Sequence, residues 1–196
     1  GKSSDLALID FKIIKFNYLI DKRFFLSGMG DLMAFYNSKL DWQLSPRFNE
    51  KKHSFALIVI RKVEKILEKI NINSSIKNWL EDYIFAQVLL CDLTDWVGSA
   101  PASGSEHFFA NIYEKKYPNK ILHGELVAFG TLFFRYVRNH NFKKIITLMN
   151  KFKINNSLNR LKISKKKIIS SLLLCEQEGL RKKRYSIIEK IKFDNL

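Results

Sequence analysis

Cysteine is nearly absent from this 196-residue chain: Cys91 and Cys175 stand far apart and in no Cys-x-x-Cys pairing. That excludes a disulfide scaffold and a cysteine zinc site. Long hydrophobic runs are missing too. Phe55–Ile60 is a typical apolar stretch, far short of the ~18 residues that a membrane span needs. The first residues, Gly1 to Asp5, carry none of the apolar character of a signal peptide, so the expected location is cytoplasmic. No βαβ alternation with a Gly-x-Gly-x-x-Gly turn is visible, and no dinucleotide-binding half is expected. Ser-His-Asp, Ser-x-x-x-Lys and Cys-His nucleophile arrangements have no counterpart either.

Acidic residues are scarce against basic ones, 19 to 34, for a net charge of +15. Such a balance can signal nucleic acid or an anionic surface. Its distribution favours something plainer. The excess thickens at Lys143–Lys144, Lys151, Lys153, Lys165–Lys167 and Arg181–Arg184, always between apolar helical positions. Solvated helix faces account for that pattern. A non-enzymatic basic module, holding nucleic acid or anionic surfaces by counterion release, is the alternative; without interleaved aromatics or a helix-turn-helix signature, nucleic acid is a poor fit.

What is present is a sizeable apolar complement, 46% of residues with 13% aromatic, enough for the core of one domain and too much for general disorder. Asp5–Ile14 (DLALIDFKII) is a short apolar run of β-compatible residues and is expected as a strand. From Lys22 the period turns helical, with Phe24, Phe25, Leu32, Met33, Tyr36 and Leu40 at three- and four-residue steps up to Pro46. Further helices are expected over Ser54–Ile70, Ser74–Val97, Ser105–Lys115, His123–His140, Phe142–Phe152, Lys165–Gln177 and Arg181–Ile191, with a break at Gly98–Gly104. The expected fold class is mainly α: a helical bundle with a short N-terminal strand, with residues 1–196 as a single domain.

Chemistry concentrates in two places. In Pro101–His107 (PASGSEH), Ser103 and Glu106 form a capping-box pattern with Ser103 at the N-cap, which puts His107 in the first turn of a helix. His123 opens the next helix in LHGEL. That helix, Leu126–Val137, is apolar around its circumference (Val127, Phe129, Leu132, Phe133, Phe134, Tyr136), so it belongs in the middle of a bundle. Two histidines starting neighbouring helices can converge on a divalent zinc or iron ion. The partial positive charge of helix starts opposes a cation, so a carboxylate is wanted as third ligand. Lone histidines are more often ordinary polar residues, and capping or solvent exposure explains His53 and His140. Gly28 and Gly30 in SGMGDL are too short a motif for a phosphate loop; close packing at a bent helix entry explains them.

Four blocks, DLALID at Asp5–Asp10, SGMGDLMAFYNSKLDWQL at Ser27–Leu44, PASGSEHFF at Pro101–Phe109 and LHGELVAFGTL at Leu122–Leu132, resemble the carboxy-terminal, metal-binding domain of the sn-glycerol-1-phosphate dehydrogenase family. That family sits in the wider group of glycerol dehydrogenase, iron-containing alcohol dehydrogenases and 3-dehydroquinate synthase. Arg181–Ile187 fits the family's closing helix more loosely. The resemblance implies an NAD(P)-dependent oxidoreductase of phospholipid biosynthesis that reduces dihydroxyacetone phosphate to sn-glycerol 1-phosphate. His107 and His123 stand at the metal-ligand positions, with Zn2+ or Fe2+ as the ion, and Ser103, Gly104 and Asp31 are implied at the substrate. NAD(P)H would enter through the family's N-terminal nucleotide-binding domain, expected to be absent from this chain, and the third ligand is expected from an Asp upstream of Gly1 rather than from Asp5 or Asp10. On two histidines alone, zinc binding is expected to be weak. The implied partners are a small phosphorylated polyol or ketone, a separate nucleotide-binding domain and a second copy in a homo-oligomer. Two departures bear on the substrate: Phe35 stands where the family has Lys after GDLLA, and Asn111 where a His is common. They leave a 3-dehydroquinate synthase-like or other polyol enzyme as the alternative within the group.

Overall fold

The computed structural model describes residues 9–46, 48–51, 53–118, 121–182 and 186–190. Among them there is no strand, and the mainly helical bundle expected from the sequence is what forms. The departure at the start has a local cause. Asp10 accepts hydrogen bonds from the backbone amides of Lys12 at 2.8 Å and Ile13 at 3.1 Å. A carboxylate at that position satisfies the orphan donors of a helix start, so α1 runs over Phe11–Ile20. The expected strand is thereby overturned over its described part, Ile9–Ile14; Asp5–Leu8 lie outside the described residues. Ile13, Phe16, Leu19 and Ile20 stay exposed on α1, and only Ile14 and Tyr18 lean on the core.

Asp21 starts α2 (Lys22–Leu32) in the same way, accepting from the Arg23 amide at 2.8 Å. The helix expected to run unbroken to Pro46 is two. At Met33–Ala34 the ladder tightens to three-residue bonds, Ala34 to Asp31 and Tyr36 to Met33, a geometry typical of helix ends. Helix α3 (Phe35–Leu44) follows directly. Phe24, counted with the apolar positions of this stretch, is exposed.

Helix α4 (Ser54–Lys69) buries Ile60, Val63, Ile66 and Leu67 and leaves Lys62, Lys65 and Lys69 in water, as its period requires. A 3-10 turn at Ile76–Asn78 precedes α5 (Leu80–Val97), which therefore begins later than Ser74. The remaining helices are α6 (Ser105–Lys116), α7 (His123–Val137), α8 (Phe142–Lys151), α9 (Leu158–Leu161) and α10 (Lys165–Lys182). Arg181 and Lys182 continue α10 rather than opening a new helix, and Ile187–Lys190 is a 3-10 turn. The rest of that expected helix, at 183–185 and 191, lies outside the described residues.

Two apolar clusters form the core. One joins α2, α3, α4, α5 and α8 around Met29, Phe35, Leu67 and Trp79; the other joins α6, α7 and α10 around Phe109, Leu126, Phe134 and Leu172. Helix α7 is the wall between them, giving Ala128 to the first and Leu126, Val127 and Phe129 to the second. A helix with cores on two sides needs apolar residues around most of its surface. Its outer end is wetter than expected, since Tyr136 is exposed.

Part of the basic excess is structural. Lys39 pairs with Glu64 at 3.0 Å and Lys144 with Glu68 at 2.5 Å. Lys151 donates to the carbonyls of Leu67 and Glu68 at the end of α4, where a cation is favoured by the unpaired carbonyls.

Candidate metal centre

Helix α6 begins one residue later than the capping-box reading, with Gly104 rather than Ser103 as N-cap. Its first amides are buried and are met by two carboxylates, one from α3 and one of its own. The backbone amide and the hydroxyl of Ser105 both donate to Asp41 Oδ2 of α3, each at 2.7 Å. The Gly104 amide donates to Glu106 Oε1 at 2.5 Å. With its start pinned to α3, α6 carries His107 in its first turn.

Helix α7 is pinned to α2. Arg23 donates to both carboxylate oxygens of Glu125, at 3.1 and 2.7 Å, in a bidentate pair. The Gly124 amide donates to Ser27 Oγ at 3.1 Å. His123, the first residue of α7, is thereby brought beside Asp31 near the end of α2.

Three donors meet as a result. Asp31, His107 and His123 each offer one ligand atom, all within 4.8 Å of one another. Asp31 Oδ1 lies 3.1 Å from His107 Nε2 and 3.7 Å from His123 Nε2. The two rings stand 5.5 Å apart between centroids, tilted by 51°. The opposite nitrogens are held by carboxylates: His107 Nδ1 is 3.2 Å from Glu106 Oε1, and His123 Nδ1 is 2.9 Å from Glu114 Oε2. A ring whose Nδ1–H is held this way turns its Nε2 lone pair toward a metal, the usual outer support of ligating histidines.

The residues fit a divalent cation on a further observation. Asp31 Oδ1 is buried between the rings yet makes no hydrogen bond of good geometry. The charge balance agrees. Burial opposes protonation of His107, but Asp31 and Glu106 outweigh it and hold its pKa up at about 9. Burial likewise opposes ionisation of Asp31, and the adjacent imidazoles pull its carboxyl below the ordinary range. Positive charge is thus favoured at this point despite the two helix starts.

The structure brings together His107, His123 and Asp31. Asp31, implied at the substrate by the family pattern, stands with the two histidines, and it offers within the chain a carboxylate of the kind that was expected from upstream. The other implied substrate residues sit at the α6 entrance. Gly104 is buried with its amide engaged by Glu106, and Ser103 is half-buried with its amide on the Ser99 carbonyl. Phe35 is fully buried and stacked on Tyr36 at 4.4 Å. Asn111 is exposed. His53 accepts from the Asn49 amide and packs on Trp42, and the His140 amide continues the end of α7. Sequence reasoning missed Glu114, Asn37, Asp41 and Arg138, and it gave Glu106 only a capping role. Only the packing of α3, α6 and α7 reveals them.

A helical bundle with two histidines and an aspartate gathered at helix ends is consistent with the iron-containing alcohol dehydrogenase and dehydroquinate synthase group that the sequence resembles. Comparison with curated proteins narrows this. Glycerol-1-phosphate dehydrogenase (NAD(P)+) of Sulfurisphaera tokodaii is 33% identical over 176 residues, 85% of this chain and 48% of that protein. The enzymes of the same name from Aeropyrum pernix and Nitrosopumilus maritimus are 28% and 25% identical over 96% and 94% of this chain, which spans 53% and 52% of each. The chain is homologous to these enzymes over most of its own length. It spans about half the length of the curated relatives that it matches. No family model matches the sequence. No helix among the described residues is long and apolar enough to cross a membrane.

Proposed function

We propose that this chain is the metal- and substrate-binding portion of an NAD(P)-dependent glycerol-1-phosphate dehydrogenase, reducing dihydroxyacetone phosphate to sn-glycerol 1-phosphate for phospholipid synthesis. The observation that carries this reading is the convergence of Asp31, His107 and His123 in a homologue of such enzymes. Two imidazoles and one carboxylate suit Zn2+ or Fe2+ and leave coordination free for a substrate oxygen. When bound, the ion supplies Lewis-acid polarisation of the ketone carbonyl that receives hydride.

The chain's own residues orient the donors. Glu106 and Glu114 hold the outer nitrogens of the two rings, and Arg23–Glu125 keeps α7 against α2. Ser103 and Gly104, implied at the substrate together with Asp31, lie at the start of α6. NAD(P)H, held by a nucleotide-binding portion of the kind the relatives' greater length and name imply, would supply the hydride. That hydride on carbon, with one proton taken from solvent on oxygen, would complete the alcohol and leave NAD(P)+.

Zinc titration of the chain against a competing chelator tests the centre. Asp31→Asn, His107→Ala and His123→Ala should each weaken binding by more than the ~10–100-fold that loss of an outer partner costs, while His53→Ala leaves it unchanged. Equal affinity in all of them removes the centre.

A second reading concerns the substrate alone. Phe35 is in the core, so this position supplies no cation to a phosphate. Product analysis of a full-length enzyme carrying this domain separates the cases. Preference for an unphosphorylated polyol, or dehydroquinate synthase chemistry, replaces the substrate and leaves the metal reading standing.

A further inference from the structure

Behind His107 lies a buried polar relay whose donors and acceptors admit one arrangement. Arg138 Nε donates to Asn37 Oδ1 at 3.2 Å, and a guanidinium can only donate. The Asn37 amide therefore cannot be reversed, and its nitrogen faces inward. That nitrogen donates to Glu106 Oε2 at 2.7 Å and to Ser105 Oγ at 2.8 Å. Both Asn37 and Glu106 are fully buried. Glu106 Oε1 already receives the Gly104 amide and lies 3.2 Å from His107 Nδ1. With donors arriving on both oxygens, Glu106 is an acceptor toward the imidazole, so the hydrogen between them belongs to His107 Nδ1. The proton that a cation displaces is then the one on Nε2, the nitrogen facing Asp31, which leaves that nitrogen's lone pair for the metal.

We infer that Glu106 is a positioning residue that fixes the metal-binding tautomer of His107, and that Asn37, oriented by Arg138, fixes Glu106. This rests on His107 being a metal ligand. The two failures can be told apart, because wild-type zinc binding tests the ligand and the relay is tested on a chain that binds.

In Glu106→Gln the side-chain shape is kept, but the new amide group must point a donor either at the Asn37 amide nitrogen or at His107 Nδ1. Either choice breaks the relay. Chelator competition should show zinc affinity falling about 10–100-fold, with the folded chain confirmed by its zinc-free thermal transition. A folded Glu106→Gln chain with affinity within about twofold of wild type overturns the role. The wild-type chain provides a measurement that needs no variant to fold. In zinc-loaded, 15N-labelled protein, His107 should show a protonated Nδ1 and a metal-bound Nε2. The reverse assignment overturns the inference with the metal centre intact, whereas absence of zinc binding in wild type removes the centre itself.

Discussion

A Cβ placed on Gly124 would lie 1.8 Å from the backbone oxygen of Ser27, so α2 and α7 touch backbone to backbone where they carry Asp31 and His123. Glycine in a helix ordinarily costs about 1 kcal/mol relative to alanine, and on propensity alone Gly124→Ala should stabilise the chain. The contact reverses the sign. No flexible side chain can yield there, and the helices must separate, at a cost of about 1–3 kcal/mol for overpacking. Urea unfolding of Gly124→Ala should show a lower midpoint, with zinc affinity reduced in step as Asp31 and His123 part. A variant as stable as wild type would show that the helices are not held at this distance.

Metal loading should be visible in stability. At zinc a hundredfold above its dissociation constant, linkage adds about 2.7 kcal/mol, roughly 5–10 °C in Tm at the ~2–4 °C per kcal/mol typical of this size. Scanning calorimetry with zinc and after chelator treatment measures the difference. It should vanish in His107→Ala and persist in His53→Ala, whose ring packs against Trp42 and Phe48 away from the centre. A zinc-independent Tm in wild type contradicts the site.

The parts legible in the sequence were those in which local pattern and packing agree. The stripe Val63, Ile66, Leu67 on α4 is periodic because one face alone is buried, and the apolar circumference of α7 announces a helix between two cores. Convergence of His107 and His123 was legible because each opens a helix. Ile9–Ile14 misled because a short apolar run has no period of its own, and Asp10 decides its conformation through two backbone bonds. The third donor was hidden for another reason. Nothing local to Asp31 distinguishes a ligand from a substrate contact, and its partners arrive from α6 and α7 only through long-range packing. Asn37, Asp41 and Arg138 were invisible likewise, since each has meaning only opposite the start of α6.

Asp41 is the hub of that buried set. It accepts from Arg138, from Ser105 at 2.7 Å and from the Ile187 amide at 2.8 Å. Burial pushes its carboxyl pKa up, against the pull of Arg138 and the Ser105 donors. Breaking such a pair on one side leaves an uncompensated buried charge, worth about 3–5 kcal/mol. Asp41→Asn and Arg138→Met should each lose about that much in urea unfolding. The double variant should lose less than the sum, because neither charge is then stranded. Additive losses in the double variant would mean that the two side chains act independently.

Trp79 and Trp96 make the last prediction, since they bracket one helix and differ in almost everything else. Trp79, just before α5, is 2% exposed and meets Tyr18 and Phe25 edge-on at 5.5 and 5.2 Å. Trp96, in the last turn of α5, is 71% exposed and touches Phe55 at 4.9 Å. Truncating a core aromatic removes its burial and leaves a cavity, about 3–5 kcal/mol; an exposed one changes stability by about 0.5 kcal/mol or less. Trp79→Ala should therefore lower the unfolding midpoint steeply and loosen the seat of α1, whose Tyr18 packs on that ring. Trp96→Ala should leave the midpoint unchanged within that margin. A large loss from Trp96→Ala would mean that Trp96 and Phe55 are covered in solution, by a second copy or another partner, and comparing the midpoint at low and high protein concentration would separate those two cases.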